Sequence, residues 1–423
     1  MSRDCTESRR RVGRRSALRG LVAGAGAVTL AGRVAAGPGR RARSARCDLV
    51  VPDDHATIQG AVDAAAAGDV VCVRDGTYAE QVVVSESLAL RSARGASPRI
   101  VPPDDPVAFT IAESGPAWEP MVFAYGGTES EGHVSGTGTV TVSLSGFTLD
   151  GQGEQPDAPR KPAVLYRNAS GTVSNNTVRN VGVGGKATFG VLAYGDSDVV
   201  VLDNHVSDYE RGGIGANGDG GAHPSPRVRV RNNVVTGSTG LGEAWGPNGI
   251  QVGFGASGDV RGNVVRDNRY SADTPVAAGI LVFESDGVRV QRNRVMNADV
   301  ALSCGSWGWF RATADHNQFT GNEVTDAVYG VLLRARADPY GGVLTQTSPA
   351  VDNTHVVGNA LVDDETTADP EGLVGVAVRA DDVVDNEFVP SAANNKVVRN
   401  AIRGFETAVD DGGTATKVRP FTP

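Results

Sequence analysis

The chain has 423 residues and a formal net charge of −9 at pH 7, and only 5% of its residues are aromatic. Its frequent Gly, Val, Asn and Asp residues favour strands and turns, which argues against a solenoid of helical repeats. Beyond the N-terminal region no stretch is long and apolar enough to form a helix that crosses a bilayer.

The first 46 residues are typical of an export signal. Arg14 and Arg15 begin a twin-arginine pattern, and a mild apolar run follows from Leu21 to Ala31. That run is too short to span a membrane and fits the apolar region of a signal peptide, with residues 34–36 as a cleavage site. We therefore predict a secreted or cell-surface protein exported by the twin-arginine pathway. A disordered basic tail is the alternative.

Removal of residues 1–46 changes the charge balance. The remaining chain has 28 basic and 47 acidic residues, a net charge of about −19, and only four lysines. Such an acidic, lysine-poor surface argues against nucleic acid as a partner. Together with the twin-arginine pattern, it resembles exported proteins of halophilic archaea, and a GC-rich bacterium is the alternative source.

Residues 47–101 are predicted to form an N-terminal module with one short helix. Asp54 is a candidate cap for an amphipathic helix over Ala56–Ala66, and the strand Val70–Val73 follows it. Cys47 and Cys72 flank this helix in candidate neighbouring strands and are candidates for a disulfide in an exported protein. Residues 103–138 are then predicted to be an insertion before the next strand.

Beyond the insertion, an asparagine returns about every 29 residues inside the same apolar frame. An apolar residue lies three positions before each of these asparagines and another lies two positions after it. The asparagines are Asn176, Asn204, Asn233, Asn263, Asn293, Asn322, Asn359, Asn386 and Asn400. A fixed period of this length indicates stacked copies of one supersecondary unit.

Each repeat also holds a second apolar run that begins at a glycine, as at Gly249 and Gly279. Two or three short strands per turn, joined by Gly, Asn and Asp corners, predict an all-β parallel β-helix in which like residues stack. We expect the repeated asparagines to occupy left-handed corners and to bond through their amides to the asparagines above and below. The glycines are expected to be corner residues as well.

The N-terminal module and the Asn-framed repeats together resemble the pectin-lyase-like superfamily. The module carries the string Thr57-Ile58-Gln59, Ala61-Val62, Gly68-Asp69, Val71, Val73, Gly76-Thr77-Tyr78 and Glu80. This resemblance implies one right-handed parallel β-helix domain over residues 47–402, plugged at its open end by the helix, with a polar tail over 403–423. The superfamily includes lyases, polygalacturonases, epimerases, methylesterases and non-enzymatic members, and the characteristic catalytic strings of the methylesterases, polygalacturonases and pectate lyases are missing here.

Function in such a fold must use outward side chains and loops, because the core positions are committed to packing. Three loops beside the glycine-led strands hold aromatic and charged residues of the kind that contact sugar rings. These residues are Glu243 and Trp245 in the first loop, Trp307, Trp309 and Arg311 in the second, and Arg334, Arg336, Asp338 and Tyr340 in the third. Gln251 and Glu284 are further outward candidates. The alternative for each Trp is a lid over the adjacent coil.

The resemblance is specific for the fold and not for one activity, and two chemistries would assign these residues differently. In a lyase or epimerase, Arg334 or Arg336 neutralises a uronate carboxylate or supplies a base, with Tyr340 as proton donor. In a glycoside hydrolase, two carboxylates flank the scissile bond. The candidates for that pair are Glu243, Glu284 and Asp338. For the arginines, a structural ion pair is the alternative.

Two acidic loops are weak candidates for Ca²⁺ through Asp219, Asp363 and Asp364, with solvated turns as the alternative. No other cofactor is indicated.

The leading interpretation is an exported protein that binds an acidic polysaccharide and acts on it by β-elimination or a related proton abstraction. The second is a non-catalytic surface or carbohydrate-binding protein. Convergence of carboxylates and arginines from adjacent coils in one cleft favours the enzyme, and aromatic residues without it favour the binding protein.

Overall fold

The computed structural model describes residues 46–111, 117–126, 128–130, 133–135, 140–153, 160–182, 188–219, 224–237, 246–270, 276–337, 347–363, 373–382 and 388–421. These residues wind into a coil whose strands stack in parallel into three sheets, which confirms the predicted parallel β-helix. Among the described residues, no helix has the length and apolar character needed to cross a membrane.

The three sheets are named in the order in which each coil visits them. The first sheet contains Leu49–Val51, Val70–Val73, Leu88–Ser92, Val140–Ser145, Ala169–Ser174, Asp198–Leu202, Arg227–Arg231, Ser257–Arg261, Arg289–Gln291, Gln318–Thr320, His355–Val357, the start of Lys396–Arg403, and Lys417–Phe421. The second contains Thr77–Ala79, Arg99–Val101, Thr148–Asp150, Thr177–Arg179, His205–Ser207, Val234–Thr236, Val264–Asn268, the starts of Arg294–Ser306 and Glu323–Ala337, Ala360–Val362, and the end of Lys396–Arg403. The third contains Val82–Val84, Val122–Tyr125, Val164–Arg167, Phe189–Tyr194, Gly212–Asn217, Asn248–Gly253, Ala278–Phe283, the ends of Arg294–Ser306 and Glu323–Ala337, Val374–Asp382, and Thr407–Asp411.

The predicted apolar frame forms two continuous columns in the core. In the first sheet, Val173, Val201, Val230, Val260, Val290, Phe319, Val356 and Val397 follow one another in register. In the second sheet the column runs through Val178, Val206, Val235, Val265, Val295, Val324, Leu361 and Ile402. Nearly all of these side chains are fully buried. Each coil therefore buries its apolar face only when another coil lies on it.

A ladder of buried asparagine amides joins the coils at the corner between the first and second sheets. The Asn233 amide donates to Asn263 Oδ1 at 3.0 Å and to the Val201 carbonyl at 2.9 Å, and the Asn233 backbone N–H also donates to Asn263 Oδ1. The same side-chain bond links successive asparagines from Asn176 through Asn359 to Asn400. Asn386 lies outside the described residues, and the ladder passes directly from Asn359 to Asn400.

The left-handed residue of each corner is the one before the ladder asparagine, so the conformational role predicted for the ladder asparagines was wrong. Asn232 and Arg292 have φ of 54° and 53°, and Gly262 has φ of 67°. None of the ladder asparagines has a positive φ. The sharp turn is made one position earlier, and this leaves the asparagine side chain free to point along the axis and bond the next coil.

The repeated glycines lie inside strands of the third sheet, so their predicted role as corners was also wrong. A Cβ built on Gly249 would stand 2.4 Å from a Val265 methyl carbon and 2.5 Å from the Gly279 carbonyl oxygen. Gly279 is crowded in the same way by Val295. These glycines are needed because the second and third sheets approach each other too closely for a side chain.

The N-terminal helix spans Ile58–Ala64 and buries Ile58, Ala61 and Val62. Its cap is Thr57, whose hydroxyl accepts the Gly60 N–H, whereas Asp54 accepts the Val50 N–H instead. Glu80 provides a second cap by accepting the N–H groups of Ile58 and Gln59 at 3.0 and 2.9 Å. A disulfide joins Cys47 to Cys72, as the sequence predicts.

Two segments that the sequence places outside the solenoid contribute coils to it. Within residues 103–138, Val122–Tyr125 is a strand of the third sheet, and four other short strands form a separate small sheet. The predicted tail over 403–423 contains Thr407–Asp411 and Lys417–Phe421, which pair in parallel with the preceding coil. The Asn frame did not reveal these strands because neither segment carries a ladder asparagine.

We predict that the Asn263→Leu substitution lowers the free energy of unfolding by about 3 kcal/mol, because it leaves several buried backbone and amide groups without partners. Asn232→Gly is the control, since this exposed neighbour already has a left-handed backbone that glycine adopts freely. Urea denaturation followed by circular dichroism measures both. Equal shifts for the two variants would contradict the stabilising role of the ladder.

Candidate functional site

A cleft lies on the outer face of the third sheet, where four successive coils place side chains side by side. It encloses about 150 Å³. Its lining residues are Arg211, Gly246, Asn248, Gln251, Phe254, Val276, Leu281, Phe283, Val300, Ser303, Gly305, Trp307, Trp309, Leu332 and Arg334. The strand register explains the arrangement, because Gln251, Leu281, Ser303 and Leu332 occupy the same outward position in consecutive coils.

The floor of the cleft combines apolar side chains with a short chain of amides. Gln251 donates from Nε2 to Asn217 Oδ1 at 2.8 Å, and its own Oε1 accepts from Asn248 Nδ2 at 2.8 Å. Gln251 is buried, and these bonds hold its side chain in one orientation. At the rim, Arg211 donates to the Gly246 carbonyl at 2.6 Å. The floor is thus rigid and polar at one end and apolar over Leu281 and Leu332.

One wall of the cleft is a cluster of aromatic rings. Trp307 and Trp309 meet edge to face with 4.7 Å between ring centroids, and both contact Phe283 at 5.8 and 5.5 Å. Phe254 from the preceding coil packs on Phe283 at 5.3 Å and also meets Phe310. Trp307 and Trp309 are only partly buried, so each ring covers the coil beneath it and still presents surface to the cleft.

Glu284 holds this aromatic loop in place from below. Its carboxylate accepts four backbone N–H groups, from Trp307 and Trp309 at 3.3 and 2.8 Å on one oxygen and from Phe310 and Arg311 at 3.0 Å each on the other. Burial raises the pKa of the Glu284 carboxyl, and the four donors oppose that shift. The sequence interpretation placed Glu284 outward, but the residue is fully buried and has no oxygen directed at the cleft.

Two arginines from one strand stand at the open side of the aromatic wall. Arg334 lines the cleft and forms an ion pair with Asp381 of the next coil, with 2.5 Å between Nε and Oδ2. Arg336, two residues further, lies over the Trp307 ring at 5.8 Å from its centroid. A carboxylate and an arginine from adjacent coils thus meet beside the cleft, and Asp381 is not among the lining residues; such a pair is also the structural ion pair that was the alternative for the arginines.

The structure brings together Gln251, Trp307, Trp309 and Arg334 as lining residues and places Arg336 against Trp307. Arg311 turns away at the end of the loop, where its guanidinium lies 3.3 Å from Asp286. The remaining predicted residues of these loops, Glu243, Trp245, Asp338 and Tyr340, lie outside the described residues.

The candidate Ca²⁺ ligands do not form a cluster in the described part of the chain. Asp219 follows the strand Gly212–Asn217 of the third sheet, whereas Asp363 is buried after a strand of the second sheet. Asp364 is outside the described residues. Within the ranges described, no three His, Cys, Asp or Glu side chains are grouped so that they could hold a metal ion.

Several residues of the site were missed by the sequence interpretation. Asp381 lies near the end of the strand Val374–Asp382, and only its register with Arg336 and its ion pair with Arg334 connect it to the cleft. Phe283 ends its strand and Phe254 follows the end of the preceding strand by one residue, so a comparison of those strand ends would have identified them. Asp299 is a second buried carboxylate near the floor. It accepts the N–H groups of Tyr270 and Ala277, and burial raises its pKa.

Comparisons with known proteins bear on the fold. The family model "Right handed beta helix region" matches residues 162–363. A family 28 exopolygalacturonase from Yersinia enterocolitica is similar at 13% identity and a TM-score of 0.57, over 89% of this chain and 76% of that one. PfbA, a surface adhesin of Streptococcus pneumoniae, is similar at 14% identity and a TM-score of 0.51, over 86% and 84%.

A third similar structure is the A-module of the mannuronan C-5 epimerase AlgE4 from Azotobacter vinelandii. The match has 17% identity and a TM-score of 0.45, over 90% of this chain and 99% of that one. No curated protein matches the chain in sequence. At these identities the likenesses concern the fold alone.

We predict that Glu284→Gln releases the loop of residues 307–311, because a single amide oxygen replaces two carboxylate oxygens and the amide hydrogens face backbone donors. The expected result is a red shift of tryptophan emission and faster trypsin cleavage at Arg311, while Trp118 stays buried as a constant background. The control is Glu323→Gln, which alters an exposed carboxylate on the second sheet. Unchanged emission and cleavage in Glu284→Gln would show that the loop is held by its aromatic packing instead.

Proposed function

The chain has the right-handed parallel β-helix of the pectin-lyase-like fold, and from this premise we propose that the cleft on its third sheet binds an acidic polysaccharide. The observation that carries the proposal is the placement of Trp307, Trp309 and Arg334 around one outward cleft. Aromatic faces suit the C–H surfaces of sugar rings, and a guanidinium suits the carboxylate of a uronic acid. A neutral sugar would use only the first of these contacts.

The geometry supports binding of an extended chain in preference to a compact ligand. The cleft crosses four coils, which are about 4.8 Å apart, so its lining residues extend along the solenoid axis. The amides of Gln251 and Asn248 lie at one end and Arg334 at the other. Successive sugars therefore meet different partners, with hydroxyls at the amide end and a carboxylate at the arginine end.

Two of the solved structures of similar fold have names that correspond to the two candidate functions of such a cleft. One is named as an exopolygalacturonase and the other as a surface adhesin. Both classes are compatible with polysaccharide binding by this chain. Export through the twin-arginine pathway stays a prediction, and the disulfide between Cys47 and Cys72 supports an oxidising compartment.

Catalysis is the second candidate function, and it would use Arg334 together with its ion-pair partner Asp381. A uronate carboxylate that pairs with Arg334 would compete with Asp381 for the guanidinium. The freed Asp381 carboxylate then serves as the base that takes the proton adjacent to the substrate carboxylate. In β-elimination the electron pair forms a carbon–carbon double bond, the bond to the leaving sugar oxygen breaks, and that oxygen takes up a proton.

We predict that Arg334→Gln weakens binding of polygalacturonate or alginate oligosaccharides at least about tenfold, because a charge-assisted hydrogen bond contributes about 1.5–3 kcal/mol. Binding of a neutral oligosaccharide should change little. Isothermal titration calorimetry measures both. Arg74→Gln is the matched control, since Arg74 is also ion-paired on the surface, to Asp53 near the N-terminal helix.

A uronan panel read by the absorbance of new double bonds separates the enzyme from the binding protein. The catalytic candidate requires turnover by the native chain and its loss in Asp381→Asn with binding retained. Binding without turnover on every uronan would exclude catalysis by elimination. If the native chain binds neither polygalacturonate nor alginate, the proposed function is wrong.

A further inference from the structure

The outer face of the first sheet carries a concentration of arginines that the cleft does not use. We define the arginine face as Arg227, Arg229, Arg231, Arg261 and Arg289, which lie on three consecutive strands. In the strand register Arg231 lies directly beside Arg261. Asp259 lies between Arg229 on one neighbouring strand and Arg289 on the other. All five project outward, because the residues that alternate with them are the buried valines of the core column.

The charges of this face are not balanced by its neighbours. Arg229 pairs with Asp198 at 2.8 Å and Arg231 with Asp259 at 3.0 Å. Within the described parts of the chain, Arg227, Arg261 and Arg289 form no ion pair and no side-chain hydrogen bond, and all three are exposed. Five cations thus face two anions on a protein whose charge beyond residue 46 is about −19.

One contact within this face opposes stability of the isolated fold. Arg231 and Arg261 lie side by side across about 4.8 Å and repel each other, whereas Asp198 lies beside Arg227 and Asp259 lies between Arg229 and Arg289. A surface that keeps such repulsion is explained if an anionic partner relieves it. The face lines a depression of about 440 Å³, which a single small anion would not fill, whereas a polymer with repeated charges can bind several guanidinium groups at once.

We propose that the arginine face is a second binding surface for an anionic polysaccharide, separate from the cleft. Guanidinium groups bind carboxylate and sulfate groups through paired N–H donors. No aromatic ring lies among the residues that line the face, so base stacking of the kind used for single-stranded nucleic acid has no platform. The preference for a polysaccharide over other polyanions rests on the proposed function.

The route from the cleft to this face is short. The strand Asn248–Gly253 forms part of the cleft, and the next strand, Ser257–Arg261, belongs to the arginine face. Phe254 lies at the corner between them and lines the cleft. An extended sugar chain that leaves the cleft over this corner therefore reaches Arg227 and Arg261 within one coil of the solenoid.

The test compares Arg261→Gln/Arg289→Gln with Arg294→Gln/Arg403→Gln, which removes the same charge from exposed positions on the second sheet. Binding of long polygalacturonate is measured at low and at physiological salt. The first variant should lose at least about tenfold in affinity at low salt and show a weaker salt dependence. The control should stay within about twofold of the native chain, and circular dichroism verifies the fold of both.

Three results separate this inference from the proposed function. If Arg334→Gln retains salt-sensitive binding that Arg261→Gln/Arg289→Gln loses, the arginine face binds polysaccharide whether or not the cleft does. If the face variant binds like the native chain, or no more weakly than the control variant, the inference is wrong. If duplex DNA or phosphatidylglycerol vesicles bind the native chain more tightly than polygalacturonate and the face variant loses that binding, the partner is not a polysaccharide.

Discussion

A buried column of asparagine amides sets the height at which the coils from Asn176 to Asn400 rest on one another. Each amide satisfies a backbone carbonyl of the preceding coil and bonds the asparagine of the following one, so a corner that is closed to water still has its polar groups paired. The valine columns can then remain in register on both sides of the corner. Without that register the outward residues would not align either, and neither the cleft nor the arginine face would exist.

The cleft depends on a second buried polar group of a different kind. Glu284 places a carboxylate in the protein interior, which is costly unless donors replace its hydration. Four backbone N–H groups of one loop do so, and they also fix the loop that carries Trp307 and Trp309. The loop has no regular secondary structure, and these four hydrogen bonds fix its position. This arrangement reduces the ordering that a ligand would otherwise have to impose when it binds.

The sequence predicted the coils well and the site only in part. The Asn frame was sufficient to predict the fold because its residues are buried in the same environment in each repeat. Polar residues could not replace core valines such as Val230 and Val260. Glu284 shows what could not be predicted from the sequence. Its position at a strand end predicts exposure, and only the path of the chain 23 to 27 residues later brings the donors that bury it. Likewise Asp381 lies 47 residues beyond Arg334, at a distance that no local pattern encodes. The glycines were misassigned because glycine is favoured both where two sheets crowd each other and in a tight turn.

The spacing of the ladder has a consequence for how this scaffold can change. Steps of 28 to 30 residues and steps of 37 and 41 residues all end in the same amide bond of 2.9 to 3.1 Å. The axial rise per coil is therefore fixed while the number of residues in a coil is not. The chain between ladder positions can lengthen, shorten or be exchanged between coils with the stacking distance unchanged. The ladder at the corner of the first and second sheets and the cleft on the third sheet consequently lie in separate parts of each coil.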